Sequence, residues 1–506
     1  MVIQKLLTCF LSIILATIGL LWTYDTQQAD NSGTYYVAPN CTDVPTPCFT
    51  NIQAAINAAD SEQDIIKVAT GVYTDMYQVG NLQQVVYLSK TLELQGGYQI
   101  DNWEMPYPIT QPTVLNAQRF GRVMYIIGSI SPTIEGFQLQ SGDSYLYDRD
   151  PQTNCCGGGI RVITASATIS GCVIAGNISN WGGGISLNAS PTTLINNKIL
   201  SNYAYKDGGG IHITSSPATI ISNTIHANTI ANGNGGGVAI QGSRGINLTD
   251  NVISLNTARP SDMYANPNGA GMSIIASQGV LHHNIIQDNN AEHLRGDVYM
   301  GGSIYALGSD LVLSANTISA NNATDGGGGY FHGGSATFDN NFITDNIPYG
   351  IYSKGSSMIF RHNTIARNRI SGLTFDGTTK AVLTNTILVS HTVGIRVYSS
   401  AQVSLNATEW GADDWRNQTD WAAGASSSFF TGTLNLWNDP MFVNPDSGDY
   451  HISAESEAHN NGVFVGITAD IDGDYRQDNC LVDIGADEFI GGDKCPYMFC
   501  LPIVWR

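Results

Sequence analysis

The stretch Asn197-Lys-Ile-Leu-Ser-Asn202-Tyr-Ala-Tyr-Lys-Asp-Gly208-Gly-Gly-Ile211 decides the fold, because it joins an Ile-x-x-Asn motif to a turn and a glycine triplet. The unit returns at Ile225–Asn228, followed by Gly235–Val238. The asparagine two residues before the first isoleucine recurs at intervals of 26, 28, 33, 32, 25, 22 and 22 residues. Its positions are Asn197, Asn223, Asn251, Asn284, Asn316, Asn341, Asn363 and Asn385. Periods of this length predict a solenoid.

The residue types indicate which solenoid this is. Each unit holds short runs rich in isoleucine, valine and threonine, such as Ala218-Thr-Ile-Ile221, which favour strands over helices. Glycine and asparagine separate the runs, where tight backbone must turn without a Cβ clash. A coil of about 22 residues with three short strands closes one turn of a parallel β-helix. We therefore expect an all-β chain in which asparagines at one phase stack in a structural ladder.

Both ends of such a solenoid need to be covered. The sequence Thr50-Asn-Ile-Gln53 has the form of a capping box and predicts a helix over Ile52–Ala59, which should cover the first coil. The segment Asp64–Asp75 predicts the first strand and turn. We divide the chain into residues 34–400, the β-helix with its N-terminal cap; 401–490, the C-terminal coils and closing segment; and 491–506, a tail.

Residues 1–29 predict a secretory signal peptide. Lys5 precedes an apolar run from Leu6 to Trp22, and a polar stretch leads to Ala29. A run of this length lies at the lower limit for a bilayer span, so an uncleaved N-terminal anchor is the alternative. We expect a secreted or cell-surface protein that contacts a membrane only through this segment, if it is retained.

The charge balance narrows the choice of partners. The formal net charge is -20, with only 22 lysines and arginines. Such a surface repels a phosphate backbone, so we expect no nucleic-acid partner. An acidic polysaccharide would need a bridging cation such as Ca²⁺.

The cysteines agree with export, since disulfides persist in oxidising compartments. Cys41 and Cys48 are close enough in sequence for a local disulfide, and so are Cys495 and Cys500. Either Cys155 or Cys156 could pair with Cys172 on an adjacent coil, and the partner of Cys480 is open.

Several motifs carry a family resemblance. Tyr36-Val-Ala, Cys41, Pro47-Cys48, Ile52-Gln-Ala-Ala-Ile56 and Gly71-Val-Tyr73 resemble the opening of bacterial pectin-lyase-like right-handed parallel β-helix proteins. The Gly-Gly-Gly-Ile units resemble the parallel β-helix repeats known as PbH1. The close is similar to that of exported choice-of-anchor Q proteins, in Asp439–Pro445, Gly448–Ile452, Asp470–Arg476 and Asp483–Phe489. The resemblance covers residues 34 to 490, departs at Ser456–Asn460, and implies a surface or secreted location without implying an enzyme.

Unit lengths vary mainly between the asparagine and the glycine triplet. Insertions at one phase of a solenoid project from one flank and often form its binding face. Aromatic rings beside charges suit sugar faces and hydroxyls, so we predict a ligand-binding crest; a solvated loop ridge is the alternative. The candidates are Trp181, Tyr203, Tyr205, Lys206, Asp207, Arg259, Asp262, Tyr264, Glu292, His293, Arg295, Asp297 and Tyr299.

The leading functional hypothesis is a non-catalytic, adhesin-like protein that binds carbohydrate or a cell surface and needs no organic cofactor. The alternative is a Ca²⁺-dependent polysaccharide lyase or a glycoside hydrolase acting on extracellular polysaccharide. β-Elimination needs a base and a cation that neutralises the uronate. Lys206, Arg259 or Arg295 could be the base, with Asp207, Asp262 or Asp297 holding Ca²⁺. A passive structural surface protein is the third hypothesis.

A second metal candidate lies near the C-terminus. Asp470, Asp472 and Asp474 alternate as carboxylates do in a Ca²⁺ loop, and Gly473 lets the backbone turn. Leu481 stands where an EF-hand loop has its last glutamate. The alternative is an acidic turn paired with Arg476.

Overall fold

The computed structural model describes residues 33–145, 155–260, 267–291, 299–476 and 481–491. These residues form a right-handed parallel β-helix, as the repeats and the resemblance predict. Each full coil contributes one strand to each of three long parallel sheets, which we call the first, second and third sheets. None of the helices formed by the described residues has the length and apolarity needed to cross a membrane.

The first sheet begins each coil after the glycine triplet, with strands Leu82–Leu88, Arg122–Ile127, Ile160–Ile163, Ile185–Asn188, Ile211–Thr214, Val238–Gln241, Met272–Ile275, Tyr349–Lys354, Ser371–Asp376, Val393–Val397 and Thr419–Ala423. The second sheet contains Thr34–Val37, Ile65–Ala69, Glu93–Tyr98, Thr133–Glu135, Thr168–Ser170, Thr193–Ile195, Thr219–Ile221, Arg244–Thr249, Gln278–His282 and Ser428–Thr431. Two long strands turn from the first sheet into the second, Ile304–Ser314 and Gly329–Asp339.

The third sheet contains Gly71–Tyr73, Thr113–Asn116, Phe137–Gln140, Val173–Ala175, Lys198–Leu200, Thr224–His226, Val252–Ser254, Ile285–Gln287, Thr317–Ser319, Phe342–Thr344 and Asn435–Leu436. Three strands turn from the second sheet into the third, Ser357–Ala366, Lys380–Val389 and Gln402–Glu409. A narrow fourth sheet follows the third sheet in the central coils, with Ile178–Ser179, Tyr203–Ala204, Thr229–Ile230, Thr257–Ala258 and Asn290–Ala291. The remaining strands are Cys48–Phe49, Tyr77–Val79, Phe442–Asn444 and Asp449–Ile452, and 3-10 turns span Asp413–Trp415 and Pro445–Ser447.

The interior consists of aliphatic side chains in register. Ile199 pairs with Ile225, and Ile225 pairs with Ile253 in the next coil. All three are completely buried. Strand alternation turns every second residue inward, so one isoleucine per coil at a fixed phase produces a continuous apolar column.

Two asparagine ladders run along the rod, where one was predicted. In the ladder at the end of the third sheet, the Asn256 side-chain oxygen accepts the backbone N–H of Asn228 at 2.9 Å and its amide group at 3.0 Å. The Asn256 amide group donates to the carbonyl of Ile225 at 2.9 Å and to the side-chain oxygen of Asn289 at 3.0 Å. Every polar atom of this buried amide is satisfied, which is what burial of a polar group requires.

Asn385 departs from the predicted ladder. In that ladder, between the second and third sheets, each asparagine follows a residue in the left-handed conformation, such as Asn196 with φ 53°. Asn385 itself occupies this left-handed position, with φ 54°. Its side chain donates to the carbonyl of Val463 at 2.6 Å, and Thr386 aligns with Asn363. The spacing of 22 residues therefore places Asn385 one position before the ladder.

The N-terminal helix spans Ile52–Ala58 and covers the first coil with Ile52 and Ile56, as predicted. Its N-cap is Asn51, whose side chain accepts the N–H of Ala54, instead of Thr50. The Gln53 side chain bonds the backbone of Tyr87, so it fixes the helix on the first sheet. The predicted Cys41–Cys48 disulfide is confirmed, whereas Cys480, Cys495 and Cys500 lie outside the described residues.

The closing segment, residues 438–491, folds back along the corner between the second and third sheets. Tyr450 and Ile484 pack on Phe342 and Ile387 in a second apolar cluster. Arg476 is completely buried; it donates to Glu488 at 2.9 Å and to the side chain of Asn340 at 2.9 Å. The segment is therefore held by specific bonds to coils that lie more than a hundred residues earlier.

Replacing Asn256 by alanine should lower the free energy of unfolding by about 3 kcal/mol, because it leaves several buried polar groups unsatisfied. The exposed Asn188 is the matched control, and alanine there should change stability by less than about 0.5 kcal/mol. Urea titration of both variants measures the difference. Equal effects of the two substitutions would contradict a ladder that stabilises the rod.

His391 replaces an asparagine in the same ladder and makes it sensitive to pH. Its Nδ1 accepts the N–H of Asn368 at 3.1 Å, and its Nε2 donates to the carbonyl of Ile365 at 3.1 Å. Burial lowers the pKa of His391 to about 4. Because the unfolded chain binds the proton more readily, this stabilisation is complete above pH 6.5 and is lost as the pH falls toward 4.

The free energy of unfolding of the variant His391→Asn should therefore fall less than that of the wild type on acidification. The difference should reach about 3 kcal/mol between pH 7 and pH 4. Urea unfolding at several pH values measures this difference. Parallel stability curves for the two proteins would show that His391 stays neutral in the unfolded chain or charges without cost in the fold, and would refute the prediction.

Candidate functional site

The narrow sheet positions the predicted crest. Tyr203–Ala204 pairs with Ile178–Ser179 on one side and Thr229–Ile230 on the other. The chain then leaves the coil and returns to it at the glycine triplet, so Tyr205, Lys206 and Asp207 project beyond the strands. In the next coil residues 232–234 leave at the same phase, since the N–H of Asn232 donates to the carbonyl of Tyr205.

Three tyrosines form the aromatic part of the crest. The rings of Tyr145 and Tyr205 stack with centroids 4.0 Å apart, and Tyr203 meets Tyr205 edge-on at 5.0 Å. Beside them, the Lys206 ammonium lies 4.2 Å from the centre of the Trp181 ring. Cation–π contacts of this kind contribute about 0.5–1 kcal/mol at an exposed site, enough to orient the lysine.

Asp207 fixes the turn that closes the crest. Its carboxylate accepts the backbone N–H of Asn234 at 2.7 Å. Gly233 passes so close that a Cβ there would lie 2.6 Å from the Asp207 carboxylate. Gly208 has φ +70°, and a Cβ would lie 2.3 Å from the carbonyl oxygen of Ile211. Glycine is thus required where the insertion returns to the coil.

These side chains enclose a groove of about 440 Å³. It is lined by Tyr145, Asn180, Tyr205, Lys206, Asp207, Asn232, Gly233 and Asn234. The lining combines one aromatic surface with amide, carboxylate and ammonium groups, which offer both hydrogen-bond donors and acceptors. Such a surface can hold a ligand that is apolar on one face and carries hydroxyls at its edges.

The tyrosines of the crest and the nearby His212 are uncharged at neutral pH, which suits hydrogen bonding to neutral groups. Burial raises the pKa of Tyr203, and the neighbouring Tyr205 and Tyr145 add to the effect. Burial, followed by Tyr145 and Asp143, raises the pKa of Tyr205. Burial lowers the pKa of His212 to about 4, although Asp207 acts in the opposite direction. At neutral pH these tyrosines therefore keep their protons and His212 is uncharged.

A second group of tyrosines continues along the outer face of the first sheet. His212 lies in the same outward row as Tyr305, three coils away, a distance of about 14 Å at the strand spacing. Tyr305 stacks on Tyr330 at 5.9 Å, and Tyr330 stacks on Tyr352 at 5.2 Å. The Tyr352 hydroxyl donates to Asp376 at 3.2 Å. Tyr330 is only 4% exposed, so the aromatic surface beyond the crest groove consists of the partly buried Tyr305 and Tyr352.

The structure brings together only part of the predicted crest. Trp181, Tyr203, Tyr205, Lys206 and Asp207 lie as described above, and the exposed Arg259 follows two coils later. Tyr299 is only 1% exposed and packs among alanines, so its place is below the surface. The remaining candidates lie outside the described residues: Asp262, Tyr264, Glu292, His293, Arg295 and Asp297.

Sequence reasoning missed Tyr145 and the asparagines of the groove. Asp143 aligns with Ile178, and Ile178 aligns with Tyr203, so Tyr145 occupies the position that Tyr205 has two coils later. Gly142 stands in this coil in place of the ladder asparagine, so the repeat pattern gives no signal for Tyr145. Cys155 and Cys156, just before the triplet, form a disulfide with each other. Cys172 is a buried free thiol, so the expected pairing of Cys155 or Cys156 with Cys172 is wrong.

The crest does not assemble a metal site from described residues. Among these residues, three metal-ligating side chains come together at His451, Asp472 and Asp487, far from Asp207 in the fold. Asp262 and Asp297, the other predicted Ca²⁺ ligands, lie outside the described residues. Of the predicted bases and Ca²⁺ ligands, Lys206 and Asp207 are the two that line the groove together.

The acidic turn near the C-terminus is built differently from a Ca²⁺ loop. One Asp470 oxygen accepts the N–H groups of Asp472 and Asp474, and the other accepts that of Glu488. These bonds use the Asp470 carboxylate to shape the turn. Asp472 instead points toward His451. The ion-pair partner of Arg476 is Glu488, whereas the alternative expectation was the acidic turn.

Comparison with known proteins agrees with the architecture. The family model described as "Right handed beta helix region" matches residues 129–291 and 261–408, together more than half of the chain. No curated protein sequence matches the chain.

Solved structures similar to the chain include the following three. One is the periplasmic alginate epimerase AlgG (10% identity, 77% of this chain and 83% of that chain, TM-score 0.39). Another is pectate lyase Pel9A (12% identity, 90% and 96% covered, TM-score 0.35). The third is the catalytic unit of a thermostable GH87 alpha-1,3-glucanase from Streptomyces thermodiastaticus strain HF3-3 (12% identity, 76% and 64% covered, TM-score 0.32).

Proposed function

We propose that this chain, which belongs to the right-handed beta helix family, binds a polysaccharide along the crest groove. In this fold the outward side chains repeat at fixed phases along a rigid rod. The observation that carries this proposal is the stack of Tyr145 on Tyr205, with centroids 4.0 Å apart, at the edge of a polar groove. A tyrosine offers an apolar face and a polar tip. Sugar rings have the complementary form, with C–H faces and hydroxyl edges.

The shape of the surface supports an extended ligand. The crest groove ends where the first sheet begins, and the outer face of that sheet carries the partly buried Tyr305 and Tyr352 in later coils. A chain molecule running along the rod would meet one row of side chains per coil, at intervals of roughly 4.8 Å. A small ligand would use only one of the two aromatic groups. A polysaccharide is therefore the ligand class that uses the whole flank.

The charge at the groove favours a neutral polysaccharide. The chain carries a net charge of -20, and Asp207 lies in the groove beside Lys206. A polyuronate would be repelled by the protein as a whole unless cations screened it.

The second candidate function is cleavage of the bound polysaccharide. The observation that favours it is the adjacency of Lys206 and Asp207 on one wall of the groove. β-Elimination of a uronate needs a base, which Lys206 would supply, and a cation that neutralises the uronate, which Asp207 would help to hold. In this case the same groove serves as the active site.

We further propose that the protein acts outside the cytoplasmic membrane, as a choice-of-anchor Q type protein does. The apolar run Leu6–Trp22 and the Cys41–Cys48 disulfide support this location.

The variant Tyr205→Ala should weaken retention on the bound polysaccharide at least tenfold, a loss of about 1.4 kcal/mol, because it removes the centre of the aromatic stack. The control is Tyr107→Ala, since Tyr107 is 46% exposed and lies far from the crest. Affinity electrophoresis of the purified mature protein in gels that contain neutral or uronate polysaccharides measures both. If no polysaccharide retards the wild type, or if both variants lose retention equally, the binding proposal is refuted.

Cleavage is tested with the same polysaccharides, with and without Ca²⁺. We expect retention without new reducing ends and without unsaturated products that absorb in the ultraviolet. Product formed by the wild type and abolished in Lys206→Ala would establish the second candidate in place of simple binding. Product that persists in Lys206→Ala and Asp207→Ala would place catalysis elsewhere on the chain.

A further inference from the structure

We propose that His451, Asp472 and Asp487 bind one divalent transition-metal ion of the Zn²⁺ class. One imidazole nitrogen and two carboxylate oxygens of these residues all lie within 4.8 Å of one another. The site is separate from the crest groove and is independent of the proposed function.

Three distant motifs of the closing segment converge here. His451 lies on the strand Asp449–Ile452, Asp472 belongs to the acidic turn, and Asp487 lies just before the end of the described chain. Asp487 is 7% exposed, and one of its oxygens accepts the N–H of Ile452 at 2.7 Å. That bond holds the buried Asp487 carboxylate beside the imidazole. The second oxygen of Asp487 remains available for a cation.

The hydrogen bonds of His451 have the pattern of a metal ligand. Its Nδ1 lies 2.6 Å from the Asp449 carboxylate, and its Nε2 lies 2.7 Å from that of Asp472. Metal-bound histidines commonly donate their other ring N–H to a carboxylate, which fixes the tautomer and the ring plane. Asp449 is placed to accept this bond, and a cation between Asp472 and Asp487 would replace the proton that Nε2 shares with Asp472.

Charge and ligand chemistry indicate which ion fits. Three carboxylates, Asp449, Asp472 and Asp487, surround one imidazole, so even a protonated ring leaves an excess of negative charge that a divalent ion would neutralise. Ca²⁺ prefers six to eight oxygen ligands. A nitrogen with two carboxylates suits Zn²⁺, Co²⁺ or Mn²⁺.

The site also has room for further ligands. A cavity of about 400 Å³ adjoins His451 and Asp472, with Phe342 packed edge-on against the imidazole at 5.4 Å. The pair His283 and Asp250, 2.9 Å apart, lines the same cavity. A metal held by three side chains would keep an open coordination position toward this cavity, which water can fill.

Co²⁺ is the probe of choice, because its visible absorption reports nitrogen and oxygen ligation. After treatment with EDTA and dialysis, the purified mature protein should bind one Co²⁺ per chain, and Zn²⁺ should displace it. Asp472→Asn should weaken Co²⁺ binding at least tenfold, and Asp449→Asn should weaken it about 10–100-fold through loss of the bond to the imidazole. His451→Gln should abolish the absorption band.

The matched control is Asp474→Asn, which changes the same acidic turn outside the proposed ligand set and should leave Co²⁺ affinity unchanged. Since the Asp472 side chain is 51% exposed, Asp472→Asn should unfold at the wild-type temperature in EDTA, so its loss of binding reports the site itself. Absence of stoichiometric Co²⁺ binding to the wild type overturns the proposal. So does unchanged binding in Asp472→Asn. Binding of Ca²⁺ alone, lost in Asp474→Asn, would also overturn it and would show an oxygen-only loop.

Discussion

The structure depends on one constraint, the need to satisfy the backbone at each buried corner of the coil. A solenoid of parallel strands must turn sharply several times per coil, and each turn leaves N–H and C=O groups without strand partners. Here a residue in the left-handed conformation reverses the chain, and the asparagine after it bonds the backbone and the asparagine of the next coil. The corners are therefore linked through the coils from Asn197 to Asn363, and each buried ladder amide in them is hydrogen-bonded.

The same constraint explains where variation is tolerated. A coil cannot change length inside the ladders without breaking two chains of amide bonds, so inserted residues leave the coil between the narrow sheet and the glycine triplet. Tyr205, Lys206 and Asp207 all emerge there, and Gly208 accepts the strained return. The crest lies on one flank because insertions are tolerated only at this phase. The residue types of the insertions can differ from coil to coil.

This is also why much of the fold, and less of the site, could be predicted from the sequence. Repetition made the ladder and the crest phase visible, since Asn202, Asn228 and Asn256 recur with their isoleucines. Asn385 was wrongly predicted to belong to the ladder, because asparagine suits the left-handed position as well as the ladder position. Spacing alone does not distinguish these two positions. Tyr299 was predicted on the crest wrongly, because an aromatic residue close to the glycine triplet can also be buried among alanines. Contacts such as Arg476 to Asn340, separated by 136 residues, have no local signature at all.

The non-repeating closing segment supplies what repetition cannot. The ladders and the apolar columns repeat one contact from coil to coil, whereas a segment that crosses the repeats can bring different side chains to one point. The closing segment does this at the corner between the second and third sheets, where His451 and Asp487 meet an acidic turn held by the buried Asp470. The crest occupies the opposite side of the third sheet, beyond the narrow sheet. Because the two surfaces lie on different corners of a rigid rod, a ligand on one leaves the other accessible, and each can be altered by substitution without disturbing its counterpart.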